Sequence, residues 1–226
     1  MATSSMQLIP YVLANLRQAP LSSLLDVGIG FGNYGYLVRS YYDLAKAVTP
    51  DEFKREKWRM RIDGIEGFAP FVDERLKCIY DNIYLGPMDK VLATLGSYDV
   101  IIIIAVLVHL PKAQGFEFLD MAYERANSMV VVTTPTRVWP QDDIFNNPYE
   151  VHQNVMWVQN DFNKYAHTAH IALPQGERIT LLSRTSHVKI TNPYRKDGLR
   201  RKLISVLGTE NARKLSGLIR RIDIRR

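Results

Sequence analysis

The run Val100-Ile-Ile-Ile-Ile104 constrains the fold more than any other part of this chain. β-Branched side chains favour extended backbone, and successive residues of a strand face opposite ways. An unbroken apolar run therefore needs cover on both faces, as in the middle of a parallel sheet layered by helices. The strand is expected to span Tyr98 to Val108.

The surrounding sequence alternates in the manner of a βα series. Ser4 to Arg17 has Met6, Ile9, Leu13 and Leu16 near a 3.6-residue period and predicts a short helix. Ser22 to Val27 predicts a strand, Tyr34 to Ala47 a helix, Arg59 to Glu66 a second strand and Ile79 to Leu85 a third. Pro111 to Asn127 predicts a helix with Pro111 in its first turn. Met129 to Thr134 predicts another apolar strand. His167 to Leu173 and Arg178 to Ser183 flank Pro174-Gln-Gly-Glu177, which reads as a hairpin. The fold class is α/β, a Rossmann-like and mostly parallel sheet with helices on both faces and a C-terminal antiparallel hairpin.

Leu24-Leu-Asp-Val-Gly-Ile-Gly-Phe-Gly-Asn-Tyr-Gly35 sits between a strand and a helix. Glycines at alternate positions there permit positive φ and close approach of a ligand, and the helix start offers free N–H groups. Gly30 to Gly35 also matches GxGxxG, the dinucleotide pattern, which wants an acidic residue at the end of the second strand about 20 residues on. Asp51 and Glu52 lie at that distance, but in a loop and helix start; the acid that ends a strand is Glu66.

Leu-Leu-Asp-Val-Gly-Ile-Gly-Phe-Gly resembles the first motif of the class I S-adenosylmethionine-dependent methyltransferases. The resemblance implies a seven-stranded sheet and S-adenosylmethionine as cofactor. It places Asp26, Gly28, Gly30 and Gly32 at the methionine end of that cofactor and Glu66 on the ribose hydroxyls, with Asp63 as second candidate. Gly86-Pro-Met-Asp resembles the adenine segment, with Pro87 where the family has Asp. Met88 would then pack on the ring and offer its N–H, and Asp89 is an alternative. In the fourth motif relatives often read Asp-x-Leu-Glu-His-Leu; here Ala105 and Val108 replace the acids, Ala105 stays in the cofactor set and His109 survives.

Val131-Val-Thr-Thr-Pro135 leads to Asn147-Pro-Tyr-Glu-Val-His152 and Trp157, which is similar to a bacterial subgroup carrying Asn-Pro-Tyr-Glu-x-His. His152, Glu150 and His109 are the candidate catalytic residues. If the loop is extended, Glu150 and His152 face the same way, and a carboxylate-oriented His is a general base near neutral pH. The implied activity is O-methylation of a small molecule or carbohydrate. The domain is expected over 1–184.

The end of the chain differs in charge. From Arg184 to Arg226 there are 13 Lys and Arg against Asp197, Glu210 and Asp223, whereas the rest carries 16 basic and 20 acidic residues. The segment 185–226 reads as a basic helical extension, with Ala212, Leu215, Leu218, Ile219 and Ile222 on one face. It would pack on the body or on a second subunit in a homodimer. Alternatively it holds nucleic acid, making the chain an RNA methyltransferase whose binding weakens steeply with salt. Loss of the fourth-motif acids also leaves open a degenerate cofactor-binding module.

Other classes are not supported by motif. The single cysteine, Cys78, excludes an internal disulfide and a Cys-based zinc site. His167 and His170 would face opposite ways on a strand, so no metal is expected. There is no Gly-x-Ser-x-Gly elbow and no Gly-Lys-Ser/Thr phosphate loop. The longest apolar run, Val100 to Val108, is far short of the about 20 residues that span a bilayer, and no signal peptide is evident, so a cytoplasmic location is expected.

Overall fold

The structure, a computed structural model, describes residues 4–185 and 187–194. In chain order the elements are α1 (Ile9–Leu16), β1 (Ser23–Val27), α2 (Asn33–Tyr42), β2 (Arg61–Glu66), α3 (Glu74–Ile79), β3 (Asn82–Leu85) and α4 (Met88–Thr94). Then come β4 (Tyr98–Ile104), α5 (Lys112–Arg125), β5 (Ala126–Pro135), β6 (His167–Leu173) and β7 (Glu177–Ser183). All belong to one compact unit, Met1–Ile190; of a second unit, Thr191–Arg226, residues 191–194 are described. The expected basic helix, with its nucleic-acid and dimer roles, lies outside the described residues.

The seven strands form one sheet in the order β3-β2-β1-β4-β5-β7-β6. β1 to β5 pair in parallel, while β7 runs antiparallel to both β5 and β6. The central run divides as its alternation requires. Val100, Ile102 and Ile104 join Leu24, Ile62 and Val131 in one core, whereas Ile101 and Ile103 join Leu25, Val27, Ile65 and Val132 in the other. Each such side chain contributes roughly 1.5–3 kcal/mol on full burial, so a one-residue slip of β4 would cost both layers.

Several boundaries differ from the sequence reading; α2 ends at Tyr42 rather than Ala47, β2 starts at Arg61 rather than Arg59, and β5 starts at Ala126 rather than Met129. β4 stops at Ile104, because Ala105 adopts a left-handed φ of 57° and turns the chain into a 3-10 segment, Leu107–His109. α1 starts at Ile9, which puts Pro10 in its first turn, where the missing N–H costs nothing. Residues up to Ile79 belong to α3, whose N-cap Asp73 accepts from the Leu76 N–H at 3.1 Å, so β3 is confined to four residues. Among the described residues no helix is long and apolar enough to cross a membrane.

Candidate active site

The carboxyl ends of β1, β2, β4 and β5 open onto a cavity of about 670 Å³. Ligands of open α/β sheets bind at this end, near the reversal of strand order. Nine of the ten first-choice site residues line it: Asp26, Gly28, Gly30, Glu66, Met88 and Ala105, with His109, Glu150 and His152. The tenth, Gly32, does not; it is the N-cap of α2, at φ 78°, where a Cβ would lie 2.4 Å from Leu76 Cδ2. Its glycine serves the turn and the packing of α3.

Gly28 has φ 71°, and an added Cβ would lie 2.6 Å from Val106 Cγ2. Both conformation and space therefore exclude a side chain. The Gly28 N–H donates to the Ile65 carbonyl at 2.9 Å, which ties the turn to the end of β2. One residue further on, Glu66 is held by two backbone donors. Gly30 N–H reaches Oε2 and Phe68 N–H reaches Oε1, each at 2.9 Å. Burial raises the Glu66 pKa, against the pull of those N–H groups, and the charge of Glu150 adds to the rise. Asp63, the second candidate, is fully buried elsewhere, bonded to Tyr98, Arg61 and Asn82. Asp89 lies beside Lys90 and does not line the cavity.

Asp26 is 2% exposed, and its Oδ2 accepts from the Tyr80 hydroxyl at 2.7 Å. Burial pushes its pKa up to about 7; the Tyr80 bond and the Gly35 N–H pull it down, and Glu66 pushes it further up. At the end of β4, Ala105 N–H donates to Thr133 Oγ1 at 2.9 Å, which fixes the left-handed turn.

The loop after β5 folds back over the strand ends. Tyr149 lays its ring on Gly67, where a Cβ would stand 2.9 Å from the ring. Asn147 is buried and accepts from the Tyr149 N–H at 3.0 Å, closing the 3-10 turn Pro148–Glu150. Gln141 clamps the loop: its Nε2 donates to the Glu150 carbonyl at 2.7 Å, and its carbonyl accepts from the His152 N–H at 3.0 Å. Trp157 is buried in the second core, with Gly115 leaving room for its ring.

Glu150 and His152 do not pair as expected. The Glu150 carboxylate takes a 3.2 Å bond from Gln141, whereas His152 Nδ1 meets the Trp139 carbonyl. A carbonyl only accepts, so in the neutral ring Nδ1 carries the proton and Nε2 keeps the lone pair. The His109 ring lies 4.9 Å from that of His152, and its Nδ1 meets the Val151 carbonyl at 3.2 Å. Burial lowers the His109 pKa to about 4, so this ring is neutral near pH 7.

Several cavity residues were given no role from the sequence, some of them inside the motifs quoted above. Trp139, Gln141 and Tyr149 come from the loop, Phe31 and Tyr34 from the glycine turn and α2, and Ser5 and Glu177 from opposite ends of the domain. Among the described residues no group of His, Cys, Asp and Glu is arranged to hold a metal.

No family model and no curated protein matches the sequence. Solved structures do. A DhpI–SAH complex aligns with a TM-score of 0.54 at 14% identity, covering 79% of this chain and 84% of that one. Magnesium protoporphyrin IX methyltransferase (ChlM) from Synechocystis PCC 6803, with bound SAH, gives 0.51 at 15% identity, covering 79% and 80%. The chain has the Rossmann-like methyltransferase fold. An O-methyltransferase family protein from Burkholderia thailandensis gives 0.52 at 12% identity; 79% of this chain aligns, spanning just over half (55%) of that protein.

Proposed function

We propose that this protein is an S-adenosylmethionine-dependent methyltransferase that methylates an oxygen of a small molecule or sugar. The observation that carries the reading is Glu66. It stands at the carboxyl end of β2 on the cavity wall, with both oxygens held by the N–H groups of Gly30 and Phe68. A carboxylate offers about four acceptor sites, so two remain for the two hydroxyls of a ribose. The glycine turn fits the same ligand, because Gly28 and Gly30, both at positive φ, carry the backbone of the turn along the cavity wall. The structural neighbours with bound SAH add support for the cofactor class.

In this reading Glu66 holds the ribose, Asp26 with Gly28 and Gly30 holds the amino-acid end, and Met88 packs on the adenine beside Ala105. Gly32 shapes the turn from behind. When bound, S-adenosylmethionine supplies an electrophilic methyl group. The protein's task is then to orient the acceptor, an effect worth up to roughly 7–11 kcal/mol, and to take its proton. His152 accepts the hydroxyl proton at Nε2 while Nδ1–H stays on the Trp139 carbonyl. His109 backs this ring, and because it is neutral it does not repel the charge that His152 gains. Glu150 and Gln141 keep the loop in place.

Thermal unfolding with added S-adenosylhomocysteine tests the reading. A ligand at 100 times its Kd stabilises the folded state by about 2.7 kcal/mol, which raises the melting temperature by several degrees. An unchanged transition at millimolar ligand would reject the assignment.

A further inference from the structure

Tyr80 follows α3, on a segment that the cofactor reading assigns no role, yet its ring is driven into the glycine turn. At Gly35 an added Cβ would lie 2.4 Å from Tyr80 Cζ, and at Gly64 3.2 Å from Cδ1. Gly35 is an interior residue of α2 and its φ is not in the left-handed region, so glycine there provides room rather than backbone freedom. Gly64 pairs with Asp26 across β1 and β2, so the space it leaves opens beside that carboxylate. Two glycines, one inside α2 and one inside β2, thus border one slot, and a phenol fills it, with Ile29 Cγ2 also against Gly64 at 2.5 Å from where its Cβ would stand. Its hydroxyl reaches Asp26 Oδ2 at 2.7 Å, and the residue is 2% exposed. A phenylalanine would fill the same slot, so the hydroxyl serves the carboxylate. The backbone fixes the residue as well: Tyr80 N–H donates to the Leu76 carbonyl at 3.0 Å, and its carbonyl accepts from Arg55 at 3.2 Å.

We propose that Tyr80 is a positioning residue of the cofactor site, whose hydroxyl holds the Asp26 carboxylate in place and keeps it available as an anion for the cofactor's ammonium group. The proposal rests on the methyltransferase reading and adds a residue to it. The groups that face Asp26 are few: the Tyr80 hydroxyl and the Gly35 N–H, which favour the anion, and the Glu66 carboxylate, which opposes it. The phenol of Tyr34 also senses the Asp26 charge. With burial pushing Asp26 up to about 7, loss of the Tyr80 donor moves the balance toward the neutral acid at physiological pH. A neutral Asp26 cannot pair with an ammonium group.

Calorimetric titration of the full chain with S-adenosylhomocysteine between pH 5.5 and 9 tests this, on wild type, Tyr80→Phe and Asp26→Asn. Wild-type affinity should strengthen as pH rises through about 7 and then level off. Tyr80→Phe should bind about tenfold more weakly at pH 7, as expected for a lost bond to a charged group, with the rise displaced to higher pH. Asp26→Asn should bind weakly with that rise abolished. Wild-type affinity and an unshifted profile in Tyr80→Phe would overturn the proposal, even if the variant melts lower, because a packing role alone moves stability and not the profile. Should Tyr80→Phe not fold, a wild-type profile without the rise, or one that Asp26→Asn retains, would overturn it equally. Wild type that binds no S-adenosylhomocysteine at any pH defeats the underlying reading, a result distinct from bound ligand with an unshifted profile.

Discussion

The backbone N–H of Gly30 donates to Glu66 Oε2 at 2.9 Å, across 36 residues of sequence. This bond makes the turn after β1 and the acidic end of β2 a single wall of the cavity. The Phe68 N–H on the other oxygen fixes the carboxylate plane. A group held in this way presents its remaining lone pairs in one direction, which is what recognition of a vicinal diol needs.

Gly28→Ala should fail both sterically and conformationally. The φ of 71° disfavours any L side chain, and the new methyl would meet Val106 Cγ2 at 2.6 Å. A loss of about 1–3 kcal/mol in folding stability is expected, measured by denaturant unfolding, together with at least tenfold weaker binding of S-adenosylhomocysteine.

His109 sets an acid limb of stability. Its folded-state pKa of about 4 lies below the ordinary 6.5, so the folded protein binds fewer protons between those values. The contribution is present above pH 6.5 and is lost as pH falls toward 4, by about 3 kcal/mol at most. His109→Gln should flatten this limb in urea unfolding measured from pH 7 to 4.

Asp26 acts in the opposite sense. Its folded pKa of about 7 exceeds the ordinary 3.8, so its contribution is full below pH 3.8 and fades as pH rises to 7. The ligand-free Asp26→Asn variant should therefore gain stability over wild type at pH 8, by about 2–4 kcal/mol, and show little gain at pH 4. Paired unfolding curves at the two pH values check this.

His152→Ala should lower kcat by about 10²–10⁴-fold once an acceptor is in hand, while S-adenosylhomocysteine affinity stays within a few-fold. Gly67→Val is the complementary change. It pushes the Tyr149 ring, now 2.9 Å from where a Cβ would stand, and so displaces the Asn147–His152 loop. Its expected signature is a raised acceptor KM along with reduced kcat.

The parallel sheet with its antiparallel hairpin and the cavity wall were legible because they follow from strand periodicity and from glycines placed after a strand. The end of β4 was not. Ala105-Val-Leu-Val108 continues the apolar pattern, and only the backbone reversal at Ala105, anchored on Thr133, ends the strand. Glu66 could be found as the acid closing a strand, whereas Tyr80 could not: its partner Asp26 lies 54 residues away and the slot for its ring is made by absent side chains. Gly35 matched the third position of a dinucleotide pattern, but it faces Tyr80 instead. The expected Glu150–His152 pairing failed because Gln141 donates to the Glu150 carboxylate and the Trp139 carbonyl takes the His152 ring.

The most direct measurement is calorimetric titration of the purified chain with S-adenosylhomocysteine beside a Glu66→Ala variant. Micromolar binding that weakens at least tenfold in the variant, with folding retained by circular dichroism, is the predicted result. Absence of binding at millimolar ligand, or equal affinity in both proteins, would contradict the cofactor site described here.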